Sequence, residues 1–217
     1  PSAELKYDVK GLYDGQTAYG SAKIRWRNEG DRYSIDGETS MMFFTLLSFK
    51  SEGSIDASGV APLLYVEKKF RKPETNTHFH RERNTISFSA STLSYPRKGT
   101  EQDRASVIWQ LAGLARGEPE KFLPHTEIEL FVAGNRDGEP WQFQVIGPEQ
   151  IEIDDKPVST VHLVRIPRTG SYQQKLDIWL APQQDWYPVR LRFTETNGDN
   201  VDMSLSKLSP LPPHSPQ

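Results

Sequence analysis

Polar and apolar residues alternate along most of the chain. In Lys23-Ile24-Arg25-Trp26-Arg27 the period of two places Ile24 and Trp26 on one face and three cations on the other, the pattern of a half-buried strand. The same alternation predicts strands over 33–35, 77–88, 127–132, 141–146, 158–166, 175–180 and 189–195. Between them stand Asn28-Glu29-Gly30-Asp31, Asp56-Ala57-Ser58-Gly59, Asn135-Arg136-Asp137-Gly138, Asp154-Asp155-Lys156-Pro157 and Asn197-Gly198-Asp199-Asn200. These are rich in residues that tolerate or preset turn dihedrals. About a dozen strands follow, joined mostly as an antiparallel meander.

One segment departs from alternation. Apolar residues fall at 105, 107, 108, 109, 111, 112, 114 and 115, too dense for a half-buried strand, and the spacing predicts a helix over 101–116. Thr100 can cap it, Asp103 stands in the capping-box position, and Gly117 followed by Pro119 ends it. Apolar groups cover much of its circumference, so the helix is expected to be buried inside a curved sheet. The expected fold class is mainly β: a single curved antiparallel sheet, an open or half barrel, wrapped around one central α-helix. Residues 1–208 show no shift of composition and read as one domain. The segment 209–217 has too many prolines to extend the sheet and reads as a disordered tail.

Composition excludes more than it assigns. The 26 Lys and Arg against 29 Asp and Glu leave a formal charge of −3, too balanced for the basic stripe that tracks phosphates, so nucleic acid is not an expected partner. No run approaches the roughly 20 consecutive apolar residues of a membrane-spanning helix. The chain has no cysteine, which excludes disulfides, thiol nucleophiles and thiolate metal sites. It opens at Pro1 rather than Met, which fits a processed exported protein or a shortened chain.

The run Gln102-Asp103-Arg104-Ala105-Ser106, continuing through Ile108-Trp109-Gln110-Leu111, resembles the central helix signature of the bacterial family catalogued as domain of unknown function 3108. Asp177-Ile178-Trp179-Leu180-Ala181-Pro182, followed by Trp186-Tyr187-Pro188-Val189-Arg190, resembles that family's late hairpin, and Leu5-Lys6-Tyr7-Asp8-Val9 its opening strand. The similarity covers nearly everything from residue 4 to 208. Members of the family are similar to exported envelope proteins, and their pattern is similar to the half-barrel of the lipoprotein carriers and the lipoprotein-sensing regulator of the Gram-negative periplasm. The resemblance implies a periplasmic location and an open, curved sheet with a helix in its concavity. It implies no reaction.

Candidate chemistry is sparse. His78 and His80 lie two apart on a strand, with Glu82 continuing that face, a spacing that metal sites use. Without a second histidine cluster they read as an exposed polar face, and no metal or cofactor is expected. Neither Glu52-Gly53-Ser54 nor Thr169-Gly170-Ser171 has the flanking pattern of a nucleophile elbow, and both read as turns. The carboxylates of Asp154-Asp155, and of Glu149 with Glu152, fall in turn-rich surface sequence rather than in an acid–base pair. Asp103 and Arg104 open the buried helix, where they pin it structurally or, on the sharper reading, Arg104 anchors a ligand.

The most apolar stretch is Met41-Met42-Phe43-Phe44-Thr45-Leu46-Leu47-Ser48-Phe49. Two readings of it stay open: a core strand or short helix lodged against the sheet, or an exposed apolar flap at the mouth of a cavity. If the sheet leaves a trough around its helix, Met41, Met42, Phe43, Phe44, Leu46, Leu47 and Phe49, with Arg104, Trp109, Trp141 and Trp179, are the expected ligand-binding residues. The function so read is a non-catalytic periplasmic binding protein holding a lipid or a lipoprotein acyl chain. Its alternatives are an envelope structural or interaction protein whose trough is filled by its own helix, and an enzyme acting on an envelope polymer.

Overall fold

The alternating segments fold into one sheet. The computed structural model describes residues 1–41, 44–167 and 174–212. Among these the strands are β1 (Ala3–Tyr13), β2 (Gln16–Asn28), β3 (Arg32–Met41), β4 (Phe44–Asp56), β5 (Gly59–Lys69), β6 (Thr75–His80), β7 (Thr85–Phe88), β8 (Ser91–Pro96), β9 (Gln102–Asp103), β10 (Glu127–Ala133), β11 (Gly138–Ile153), β12 (Lys156–Arg165), β13 (Lys175–Ala181), β14 (Tyr187–Thr194) and β15 (Asn200–Pro210). The one α-helix, α1, is Ser106–Gly117.

Two meanders, β1 to β8 and β9 to β15, meet where β1 pairs antiparallel with β15, from Ala3 opposite Pro210 to Leu12 opposite Asn200. Each strand otherwise pairs its neighbours in sequence, and only the two-residue contact of β9 with β10 is parallel. Hairpin turns use the chemistry legible in the sequence: Asp154 and Asp155 both take positive φ, as a two-residue primed turn requires.

The sheet curls until its two edges face each other, and side chains rather than a ladder close the gap. Thr77 Oγ1 donates to the Gly134 carbonyl at 2.7 Å and Arg136 Nε to the Ala90 carbonyl at 3.1 Å. Phe79, Ile86 and Phe88 of one edge pack with Ala133 of the other, joined by Tyr95 and Phe131. The result is barrel-like, with a breach crossed by the chain between β8 and β9.

Helix α1 lies inside the curl. Val107, Leu111 and Ala115 are fully enclosed, and the Trp109 indole stacks on Trp26 of β2. The Gln110 amide fixes the helix to the β4–β5 turn, accepting from Val60 N–H at 2.9 Å and donating to the Ser58 carbonyl at 2.7 Å. Gly59 in that turn has φ +104°, and a Cβ there would meet Gln110 Oε1 at 2.1 Å.

Four sequence readings need correction. The helix begins at Ser106 rather than 101, because Gln102 and Asp103 are taken up by β10. The cap is reciprocal: Asp103 Oδ1 accepts from Ser106 N–H at 2.8 Å, and Asp103 N–H donates to Ser106 Oγ at 2.9 Å, while Thr100 plays no part in it. The segment 77–88 is a hairpin rather than one strand, turning at Arg81-Glu82-Arg83-Asn84, where Asn84 takes a positive φ. The last strand also runs past 208: Pro210 pairs with Ala3 and Leu211 N–H donates to the Ser2 carbonyl, since a proline is tolerated where its nitrogen ends a ladder. Residues 213–217, and the turn expected at Thr169-Gly170-Ser171, lie outside the described residues.

Candidate functional site

Because α1 is short, it does not fill the concavity. A cavity of about 350 Å³ remains beside its first turns, within the range of roughly 300–1,000 Å³ typical of small-molecule sites. Ile24, Leu47, Phe49 and Tyr65 form its wall from the first meander; Leu191, Phe193 and Met203 form the wall from the second; Ile108 and Trp109 form its roof. The lining runs from the fully enclosed Leu191 to Lys69, whose side chain is half-exposed, so the cavity opens to solvent at the Lys69 end.

Local irregularities shape it. The β3–β4 register shifts after Thr39, which faces Leu47 while Ser40 faces Thr45, leaving Leu46 as the extra residue of a bulge. Leu46 and Leu47 consequently both line the cavity despite being neighbours. Gly37 lies under the Phe49 ring, where a Cβ would sit 2.1 Å from Cζ.

Polar groups gather near the open end. Glu67 is buried and accepts from Tyr65 Oη at 2.8 Å and Asn135 Nδ2 at 2.9 Å, with Lys69 Nζ at 3.3 Å and Arg104 Nη1 at 4.0 Å. Asp103, fully buried, accepts from Ser51 Oγ at 2.6 Å and from Ala105 and Ser106 N–H; burial raises its pKa to about 6. Arg165 bonds Glu139 at 3.0 Å and lies 3.8 Å over the Trp141 ring. Burial lowers its pKa to about 10, with repulsion from Arg104 adding to the effect. The cavity thus joins a largely apolar wall to charged groups at its open end. A second hollow, of about 500 Å³, lies among Asp8, Lys10, Arg192 and Asp202, with Leu12 and Tyr19 beside them; its lining mixes charged and apolar groups, and α1 contributes nothing to it.

Residues 6–206 match the model of the family described as "Protein of unknown function (DUF3108)". The chain belongs to that family. Among curated proteins nothing matches this DUF3108 member. Among solved structures it is similar to the β-barrel-like protein of the DUF1849 family from Brucella abortus, with a TM-score of 0.65 at 12% identity over 97% of this chain and 98% of that one. That likeness shows a shared fold. A putative outer membrane lipoprotein-sorting protein domain from Vibrio parahaemolyticus matches with a TM-score of 0.32 at 10% identity, over 96% of this chain and 84% of that one. The Mycobacterium tuberculosis lipoprotein LppX matches with 0.31 at 13%, over 96% and 88%.

The structure of this DUF3108 member gathers only part of the residue set read from its sequence. Leu46, Leu47, Phe49, Arg104 and Trp109 line the cavity. Met41 lies over Gly11 and Gly20 and does not line the cavity. Met42 and Phe43 lie outside the described residues. Phe44 is turned to solvent against Phe70, centroids 5.5 Å apart, and does not line the cavity.

Neither Trp141 nor Trp179 lines it either. Trp141 is inside the curl but is covered by Arg165. Trp179 alternates with the enclosed Ile178 and Leu180, which puts it on the opposite face, stacked on His162 at 4.4 Å and donating to Glu149 at 3.0 Å. The outer-face histidines His78 and His80 stack on each other, with His80 bonded to Ser87. Sequence reading missed Ile24, Tyr65, Glu67, Leu191, Phe193 and Met203 as cavity residues. Alternation marks the buried face of Ile24, Leu191, Phe193 and Met203 without distinguishing the part that meets the helix from the part that meets a cavity, while the run before Tyr65 and Glu67 does not alternate at all.

Proposed function

We propose that this chain is a non-catalytic binding protein of the bacterial periplasm that shelters a hydrophobic ligand, a lipid or an acyl chain, between α1 and the sheet. One observation carries this reading: the cavity is walled by aliphatic and aromatic side chains from both meanders and is open at the Lys69 end. Each methylene moved from water into such a wall gains about 0.8 kcal/mol, so a long chain offsets the cost of association. The periplasm belongs to the same reading, since the exported proteins that the sequence resembles reside there and an acyl chain crossing that space needs cover from water.

Titration with a fluorescent fatty acid tests it, with Leu47→Asp as the variant. Leu47 is partly exposed and lines the cavity, so a charge there meets the alkyl chain without entering the closed core. Micromolar binding that Leu47→Asp weakens at least tenfold is expected. No binding by the parent at tens of micromolar would leave the interaction-protein reading ahead.

A further inference from the structure

We propose that the ligand is an anionic amphiphile, its alkyl chain in the cavity and a carboxylate or phosphate head held by Arg104 with Lys69 at the open end. This rests on the reading that the cavity takes an apolar ligand, and it adds the chemistry of the head.

Arg104 sits between β9 and α1, so the helix start and the β9–β10 pairing fix its backbone. Its guanidinium lies against Gly134, where a Cβ would come within 2.9 Å of Nε and Nη2; only a residue without a side chain leaves that space. The side chain is 40% exposed, lines the cavity and has its nearest carboxylate oxygen, Glu67 Oε2, 4.0 Å away. That oxygen already accepts from Tyr65, and the other oxygen of Glu67 holds Asn135 and Lys69. One buried carboxylate, which also holds Tyr65 and Asn135, therefore faces two cations.

The other acids nearby do not answer Arg104. Glu139 is bonded to Arg165. Asp103 is turned to Ser51 and to the N–H groups that open α1. The Gln174 amide, also in the lining, donates to Glu195. A planar guanidinium that makes no hydrogen bond among the described residues, set beside an apolar trough, suits a two-oxygen anion bound in fork geometry, with Lys69 as a second point charge. A fatty acid and an alkyl phosphate share that chemistry.

The test is competition at pH 8 against a neutral fluorescent alkyl probe by hexadecanoic acid, hexadecyl phosphate and hexadecanol, all of one chain length. The acid or the phosphate should displace the probe about tenfold or more better than the alcohol, since hydrogen bonds to charged groups are about twice as strong as neutral ones. Whichever anion binds better separates a carboxylate source from a phosphate source. Arg104→Gln should bring the preferred anion down to the level of the alcohol, and Arg104→Lys should keep part of the preference, both in variants with the far-ultraviolet spectrum of the parent. Equal displacement by alcohol and anions, or a preference that survives Arg104→Gln, overturns this inference alone. Failure of the neutral probe and of all three competitors to bind overturns the underlying reading as well.

Discussion

The indole of Trp109 lies flat on that of Trp26, centroids 4.8 Å apart and planes within 9° of parallel. Tyr187 meets Trp109 edge-on at 5.8 Å, so one helical residue joins strands from the two meanders. Aromatic pairs in these geometries add about 0.5–1.5 kcal/mol to the burial itself. Helix α1 is on this account the hub of the core. Leu111, fully enclosed on nearly the opposite face of the helix, tests that: Leu111→Ala should cost about 2–5 kcal/mol in a urea titration, and a loss below about 0.5 kcal/mol would make the helix peripheral.

Asp103 gives the stability a pH slope. Burial outweighs its three hydrogen-bond donors and moves its pKa from 3.8 to about 6. An acid with a higher pKa folded than unfolded contributes stability that is complete below about pH 4 and lost as pH rises through about 6. Asp103→Asn keeps an acceptor for the helix and removes the titration. From pH 4 to pH 7 the parent should therefore lose up to about 3 kcal/mol relative to the variant, measured from denaturant midpoints. Parallel pH profiles would refute the assignment.

Gly59 is required twice over, by its φ of +104° and by the Gln110 amide against its Cα. Gly59→Ala should cost about 1–3 kcal/mol and lower the melting temperature, whereas Gly113→Ala, with open space around it in mid-helix, should be neutral or stabilising. Equal melting temperatures for the two variants would contradict the geometry.

Phe44 and Leu47 separate surface from cavity. Although both belong to the most apolar stretch, Phe44→Asp should leave fatty-acid affinity within about twofold and Leu47→Asp should not, because only Leu47 lines the cavity. Equal losses measured by fluorescence titration would place the ligand over the Phe44–Phe70 tip instead.

The sequence was most informative where one face is wet. Lys23 to Arg27 alternates cleanly because the outer face of β2 meets solvent, and it was readable as a strand with its inner face known. In β13 everything from Leu176 to Ala181 is buried, since His162 and Arg190 cover Trp179 on the outside; alternation vanishes and with it the clue to which face a tryptophan takes. The helix start was obscured by a contact with β10 distant in sequence, and the bulge that turns Leu46 inward leaves no mark on composition. Arg104 was legible as an anchor candidate from its place before the buried helix. Glu67, its nearest carboxylate, follows a continuous apolar run that does not alternate, and an acid there carries no mark of a buried position.

The seam between β1 and β15 has a consequence in time. Within each meander, strands can zip to neighbours a few residues away, but β1 waits for a partner from the far end of the chain, and closing so long a loop is an entropically slow step. Until it happens, two half-sheets each carry an unpaired central edge, the kind of surface that recruits other chains. Ile24 and Leu47 wait on one half and Leu191 and Met203 on the other, so the cavity is complete only when the seam closes, and on the function proposed above ligand affinity would serve as a clock for that step.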